Sequence, residues 1–242
     1  MIFRKALLLG ACIALVGCLN LKQSRVTPEH RQLKNKVAVV VLMDPAPRVH
    51  HIQRSAIDST ATTLALPGWD VRRSVGEYLA QRMRGMALDV RAAPYTTDEF
   101  PTPYDSSMAY PAFLRLRPVL GEWAARQGLD MVVVVYRQAE EDFIGESVEN
   151  LIGYGIARHA DERTDAYAAI YLEALDTEGR LVGNSDGVKT LSLDASAWRA
   201  EFDVDRTPVA VTGADAEQLT AVITQVLHDA VLTAAQEAGL SH

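Results

Sequence analysis

The stretch Met131-Val132-Val133-Val134-Val135-Tyr136 is the strongest secondary-structure signal in the chain. A short, uninterrupted run of β-branched residues is typical of a strand that is buried on both faces, as the strands of parallel sheets are. A second run of this kind extends from Lys36 to Leu42 and ends at Asp44-Pro45. The two runs predict two buried strands of one α/β domain.

Two helices and a further strand are predicted between these runs. Asp70 has the residue type of a helix N-cap, and apolar residues from Val71 to Met86 follow it at helical spacing. Leu88 to Ala92 has strand character. A second helical stretch runs from Phe113 to about Gly128, and Pro118 is expected to start or kink it. The order β-α-β-α-β favours parallel strands with crossover helices.

The last third of the chain follows a different pattern. Asp165 to Asp176 and Leu181 to Leu193 alternate as strands on either side of a turn, which predicts an antiparallel hairpin. From Asp215, with Gln218 three residues beyond this expected cap, a helical pattern continues to Ala238. The predicted fold class is therefore α/β, a mixed sheet of β-α-β-α-β plus an antiparallel hairpin and a long C-terminal helix.

The first seventeen residues have the three regions of a secretory signal. Arg4 and Lys5 precede an apolar run that reaches the small residue Gly17. The run has roughly ten residues, whereas a bilayer-spanning helix needs about twenty. The final Leu-Val-Gly-Cys resembles the lipobox of bacterial lipoproteins. This resemblance implies that the signal is removed and that Cys18 is lipidated, so the membrane is an expected partner through this lipid.

The signal divides the chain into three predicted parts. Residues 1–17 are the lipoprotein signal peptide, residues 18–35 a lipidated tether, and residues 36–242 a single periplasmic α/β domain. The polar tether is expected to be flexible, with a reach of roughly 20–25 Å. In the lipoprotein family an aspartate after the cysteine favours retention at the inner membrane; here the residue is Leu19. The resemblance therefore implies an outer-membrane protein that faces the periplasm.

Composition narrows the classes of partner and cofactor. The net charge of −7 becomes two units more negative when Arg4 and Lys5 are removed with the signal, so a nucleic acid partner is not expected. Of the two cysteines, Cys12 belongs to the signal and Cys18 to the lipid anchor, which leaves no disulfide in the domain. No cofactor is predicted.

The order of elements from residue 36 to residue 238 resembles small periplasmic α/β lipoprotein domains. These are the curli-secretion lipoprotein family, the lipoprotein activators of penicillin-binding proteins, and the amino-terminal domain of the Tol system β-propeller protein. The resemblance implies a non-enzymatic role in the envelope, through contacts with an envelope protein or within a homo-oligomer. The sequence shows no pair of long amphipathic strands for a pore, so the resemblance does not extend to a secretion channel.

One motif favours an enzyme instead. Gly183-Asn184-Ser185-Asp186-Gly187 matches the G-x-S-x-G pattern of serine hydrolases, and His228 follows it in the chain. Such a nucleophile requires a strand before the serine and a helix after it. Here the residues after Ser185 alternate as a strand, and glycine, asparagine and aspartate are also turn residues. A periplasmic hydrolase that uses Ser185 or an unidentified metal is the alternative function.

No metal site is predicted. The six histidines lack the spacing that would place two ligands on one helix face. On a strand, the adjacent His50 and His51 would point to opposite faces, and His159 could share a face of an extended segment with Asp161. The pattern Gly153-Tyr154-Gly155 lacks the third glycine of a dinucleotide-binding loop.

Two segments are candidate interaction surfaces. Residues 142–163 hold more apolar side chains than a surface loop usually does, with Phe143, Ile144 and Tyr154 as the candidates. The loop of residues 94–111 adds Phe100 and Tyr104, since exposed aromatic residues often anchor interfaces. In both segments, packing against the domain itself is the alternative.

Overall fold

The computed structural model describes residues 24–52, 60–100, 109–141, 150–159, 161, 163–193, 209–211 and 213–242. These residues form eleven strands and four α-helices, with a 3-10 turn at Thr97–Glu99. In chain order the elements are α1 (Pro28–Leu33), β1 (Lys36–Leu42), β2 (Arg48–Ile52), β3 (Thr60–Ala65), α2 (Val71–Arg84), β4 (Asp89–Val90), α3 (Ala109–Arg126), β5 (Met131–Arg137), β6 (Ala139–Glu141), β7 (Asn150–Ile152), β8 (Tyr154–His159), β9 (Thr164–Asp176), β10 (Leu181–Leu193), β11 (Val209–Ala210) and α4 (Ala214–Glu237).

Nine of the strands form one mixed sheet that is organised around β9. β10 pairs antiparallel with β9 along nearly its whole length. On the remaining edge, β5 pairs with the second half of β9 and β8 with the first half. The sheet therefore forks at β9 into one branch of β5, β1 and β4 and another of β8, β2, β3 and β11. β6 and β7 form a separate two-stranded sheet.

β1 and β5 are parallel neighbours, as their apolar sequences require. Their register pairs residues 37–42 with residues 131–136. Alternate side chains point to opposite faces, so Val133 and Val135 join one core while Val132 and Val134 join the other. Both predicted strands and the mixed α/β fold class are confirmed, with β5 one residue longer than predicted.

The helices cover both faces of the sheet. α2 and α4 pack on the face that carries Val133 and Val135, and α3 packs on the face that carries Val132 and Val134. α2 begins after Asp70, whose carboxylate accepts hydrogen bonds from the amides of Arg72 and Arg73. The predicted N-cap of this helix is confirmed.

The start of α4 differs from the predicted one. Its N-cap is Gly213, which makes no side-chain cap hydrogen bond, and not Asp215. The amides of Ala216 and Glu217 bond to the backbone carbonyl of Gly213. Asp215 lies in the first turn, where a negative charge is still favourable because it faces the unpaired amides of the helix N-terminus. The capping box with Gln218 is therefore wrong, although the helix itself is confirmed.

α3 is fixed to the hairpin by a close backbone contact and an ion pair. A Cβ added at Gly121 would lie 2.3 Å from the amide nitrogen of Gly179 in the β9–β10 turn, so only glycine permits this approach. One turn earlier, Arg117 Nη2 lies 2.5 Å from Glu173 Oε1, and the Glu173 side chain is fully buried. Pro118 lies within α3 and therefore does not start this helix.

Residues 24–35, which we call the strap, lie on the domain and differ from the flexible tether predicted for residues 18–35. Val26 is 1% exposed and its amide donates to the Ala238 carbonyl at 2.8 Å. Ser24 and Asn184 exchange two hydrogen bonds, each of 2.8 Å. The sequence of the strap is too polar to reveal this, because the apolar contact depends on one valine and on a groove formed by distant elements.

Several strands were missed by the sequence patterns. β2 and β3 lie between β1 and α2, where no strand was predicted, and β8 lies in the segment of residues 142–163, which was predicted as a contact surface or as a segment packed against the domain. The sequence of β2, Arg-Val-His-His-Ile, has no apolar alternation, yet His50 is buried because strands on both sides cover it. β4 is shorter than predicted and has only two residues.

Candidate functional site

Ser185 is not a catalytic nucleophile. It lies within β10, opposite Leu172 of β9, and the strand continues for eight residues to Leu193. The residue is 1% exposed, and its hydroxyl donates to Glu237 Oε2 at 2.5 Å. A nucleophile elbow would expose the serine at the start of a helix, so the hydrolase hypothesis based on Ser185 is wrong.

The glycines of this motif have a packing role. Residues 183, 185 and 187 alternate along β10 and share the face that contacts the strap and α4. A Cβ at Gly187 would lie 2.1 Å from the carbonyl oxygen of Ala230, and one at Gly183 would lie 2.7 Å from Val26 Cγ2. Small residues are needed at these positions because helix and strap backbones lie directly against the strand.

His228 belongs to a contact between α2 and α4. Its Nε2 lies 3.0 Å from Ser74 Oγ, and its ring stacks on Tyr78 with 4.0 Å between the ring centroids. Burial lowers the pKa of His228, which favours the neutral ring. Nine residue steps along α4 separate His228 from Glu237, about 13 Å along the axis. The structure therefore does not bring this histidine to Ser185.

The structure describes two of the five predicted contact residues, Tyr154 and Phe100. Tyr154 is 2% exposed and donates to the Asp44 carbonyl at 2.7 Å. Phe100, also 2% exposed, packs edge-on against Trp123. These two side chains belong to the core, so the prediction that they are contact residues is wrong. Phe143, Ile144 and Tyr104 lie outside the described residues.

A charged cluster lies at the carboxyl ends of β1 and β5. Asp44 pairs with Arg137 and, at 3.3 Å, with Arg48. In α/β sheets this edge often holds a ligand. Here the two guanidinium groups meet on one half-buried carboxylate, and Tyr154 binds the backbone of the same residue. The cluster joins β1, β5 and β2 where the sheet forks, and this accounts for its charges.

A second polar cluster lies where β8, β9 and β10 meet. His159 Nε2 is 2.9 Å from Asp165 Oδ2, and Ser192 donates to Asp165 Oδ1 at 2.6 Å. The carboxylate stands between serine and histidine, which is not the order of a catalytic triad, where histidine bridges the other two. The proposed sharing of a face by His159 and Asp161 is replaced by this pairing with Asp165.

The adjacent histidines of β2 are held neutral. His50 packs edge-on against Tyr167 at 5.7 Å, and burial lowers its pKa to about 4. Burial also lowers the pKa of His51. Within the described part of the chain, no group of three or more histidine, cysteine, aspartate or glutamate residues could hold a metal ion.

The candidate binding site is a cleft between α2 and the β4 edge of the sheet, which we call the arginine cleft. Its volume is about 440 Å³. Its rim carries four arginines and one glutamate, at positions 72, 73, 84 and 91 and at Glu77. Its floor is apolar and includes Val39, Ala80 and Val90. β4 pairs with β1 only at Lys36 and Val37, so no described strand pairs with this edge of β1 at Val39, which lines the cleft.

The helical period assigns three separate roles to the residues of α2. Positions 71, 75, 79 and 83 are buried against the sheet. Ser74 and Tyr78 face α4, and Arg82 donates to the Tyr78 hydroxyl at 3.1 Å. The third stripe, with Arg73 and Arg84, lines the cleft.

Sequence reasoning treated these arginines only as the polar side of an amphipathic helix. The composition of α2 was the signal that could have identified the site, because this helix has four arginines and one glutamate in a protein of net negative charge.

No helix in the described ranges is at once long enough and apolar enough to cross a membrane. No family model matches the chain, and no curated protein matches it. Similar solved structures include a PelC dodecamer from Paraburkholderia phytofirmans, with 16% identity, coverage of 86% of this chain and 91% of the other, and a TM-score of 0.32.

Two further structures are similar at the same level. A DUF330-family protein from Xanthomonas campestris is 7% identical, covers 85% of this chain and 82% of its own, and has a TM-score of 0.39. A lipoprotein from Neisseria meningitidis is 12% identical, covers 79% of this chain and 96% of its own, and has a TM-score of 0.34. These values are too low to assign a family.

Proposed function

We propose that the protein is an outer-membrane lipoprotein, anchored by lipid on Cys18, that faces the periplasm and acts by binding other envelope proteins or copies of itself. The secretory signal that ends in Leu15-Val16-Gly17-Cys18 supports the anchor. The acidic charge of the chain supports a protein partner over a nucleic acid.

The observation that carries the proposal is the strap. Six residue steps separate Cys18 from Ser24, which is hydrogen-bonded to β10. A chain extends by at most about 3.6 Å per residue, so lipid on Cys18 would hold Ser24 within about 22 Å of the attachment point. Val26 is buried in the domain and therefore fixes the anchored end of the chain to the core. Such a short, docked connection suits a protein that works close to the membrane with one side turned towards it.

The position of Ser185 supports a binding role over catalysis. The motif that suggested a hydrolase is accounted for by the packing of β10 against α4 and the strap. The surface also carries the arginine cleft, whose charged and apolar lining suits the binding of another molecule.

The anchor is tested by fractionation of cells that express the full chain, with radioactive palmitate as the label. We expect the protein in the outer-membrane fraction with label, and the Cys18→Ala variant without label. The matched variant Leu19→Asp should keep the label but move to the inner membrane. A wild-type chain that is unlabelled and leaves the membrane in salt would contradict lipid anchoring.

The partner is tested by crosslinking in the same cells, followed by affinity purification and mass spectrometry. We expect crosslinks to one envelope protein, or between copies of the chain if the protein assembles with itself. Phe143 and Ile144 are proposed contact residues, so the double variant Phe143→Ser, Ile144→Ser should reduce these crosslinks. An unchanged pattern would remove both residues from the proposal, and the absence of any specific crosslink would contradict the binding role.

A further inference from the structure

The lining of the cleft is positively charged, because it carries four arginines and one carboxylate, Glu77. Arg91 pairs with Asp89 at 2.8 Å. Arg72, Arg73 and Arg84 have no ion-pair partner within the described part of the chain. The chain has a net charge of −7. The local positive charge of the cleft is therefore opposite in sign to the net charge of the protein. A concave site with such a charge attracts anionic groups.

The spacing of the arginines indicates an elongated ligand. Arg73 and Arg84 are eleven positions apart on α2, which corresponds to about 16 Å along the helix axis. A single carboxylate or phosphate could reach only one of them at a time. A ligand that contacts both must extend along the helix and carry more than one anionic group.

The apolar floor narrows the chemistry of this ligand. The apolar lining residues Val39, Ala80 and Val90 are half-buried, whereas Arg73 and Arg84 are exposed. An inorganic polyphosphate would bury this surface without favourable contacts, because it has no apolar groups. An extended peptide can place acidic side chains towards the arginines and apolar side chains on the floor, since its side chains alternate along the backbone.

We propose that the arginine cleft binds an extended acidic segment of a partner protein, in which acidic and apolar side chains alternate. This inference deepens the proposed function, since it names the surface and the chemistry of the partner. Arg73 and Arg84 bind carboxylates at the two ends of the cleft, and the floor between them accepts the apolar side chains.

The test uses the purified full chain in detergent and a fluorescent peptide in which glutamate and valine alternate. Fluorescence anisotropy should show saturable binding that weakens as salt is added, because the contacts are charged. Arg73→Gln and Arg84→Gln should each weaken binding about fivefold, as for one partly exposed ion pair. The two positions are far apart, so the double variant should weaken binding about 25-fold.

Arg82→Gln is the matched control. It removes the same charge from the same helix, but Arg82 contacts Tyr78 and does not line the cleft. We expect its affinity for the peptide to equal that of the wild type. Arg73, Arg82 and Arg84 all lie outside the buried stripe of α2, so the three single variants should keep the far-UV circular dichroism spectrum and thermal midpoint of the wild type.

Three outcomes would overturn the proposal. One is the absence of saturable binding of the acidic peptide, and another is an equal loss of affinity in Arg82→Gln. The third is equal affinity for tripolyphosphate and for the peptide, which would show that the floor contributes nothing. Since the assay contains no membrane, its failure is independent of whether Cys18 is lipidated.

Discussion

Two glycines of β10 set the distance between the sheet and the elements that cover it. Gly187 lies against the backbone of Ala230, and Gly183 lies against Val26 of the strap. Between them, Ser185 hydrogen-bonds to Glu237 near the end of α4. These three positions act together, because a Cβ at position 183 or 187 would push the strap or α4 away from the strand, and Ser185 fits between them through its hydrogen bond to Glu237.

The close approach at Gly187 gives a prediction for stability. Gly187→Ala would place a methyl group 2.1 Å from the Ala230 carbonyl oxygen, so α4 must shift. We expect a loss of about 1–3 kcal/mol in the free energy of unfolding, measured by urea denaturation. Equal stability of variant and wild type would show that α4 moves away from β10 at no cost.

Gly76 is the matched position at which the same substitution should stabilise. It lies within α2, and the nearest atom to an added Cβ is Val41 Cγ2 at 3.9 Å. Gly76→Ala therefore fits without a clash and removes backbone freedom from the unfolded chain. The expected gain is about 0.5–1 kcal/mol in the same urea assay.

At the level of elements, the strap is the feature that the sequence patterns missed. It contains a short helix, α1, and is fixed by contacts at both ends. Arg31 donates to the Gly239 carbonyl at 2.7 Å, and Lys34 Nζ lies 3.3 Å from Asp176. Through these contacts the strap binds the ends of α4 and β9 together. Val26 is the one buried side chain of the strap, which explains why no apolar periodicity revealed it.

Docking of the strap can be tested by proteolysis. Val26→Asp would bury an uncompensated carboxylate and should release the strap, since a buried unpaired charge is costly. Trypsin should then cleave after Arg25 and Arg31 much faster than in the wild type, as followed by mass spectrometry. Leu33→Asp is the matched control, because Leu33 is 82% exposed. Rapid cleavage of the wild type at these sites would contradict the docked strap.

Across the whole molecule, buried histidines couple stability to pH. The pKa of His50 is lowered by burial from 6.5 to about 4, and the pKa values of His51 and His228 are also lowered by burial. Below pH 6.5 the unfolded chain therefore binds protons that the native protein excludes. The free energy of unfolding must fall as the pH decreases towards about 4.

The size of this effect is predicted for His50. In its window of titration, one excluded proton lowers the free energy of unfolding by about 1.4 kcal/mol per pH unit. His50→Phe keeps a ring against Tyr167 but cannot be protonated, so its stability should depend less steeply on pH. Urea denaturation at a series of pH values measures both slopes. Parallel profiles for variant and wild type would show that His50 is protonated in the native state.

Local patterns were sufficient for the elements whose own residues determine their environment. Runs of β-branched residues predicted β1 and β5, alternation predicted the hairpin of β9 and β10, and helical periodicity predicted α2 and α4. In each case the signal lies within one continuous segment. The cap of α4 was wrong because the choice between Gly213 and Asp215 depends on the backbone path into the helix.

The sequence by itself determined the α/β class, the central strands, the hairpin and the long final helix, because the periodicity of apolar residues is a local property. Only the tertiary structure decided that the sheet forks at β9, that Ser185, Phe100 and Tyr154 are buried, and that Val26 docks the strap. It also assembled the arginine cleft from α2 and the edge of the sheet. These features depend on contacts between residues that are distant in the chain, and burial is a property of those neighbours rather than of the residue alone.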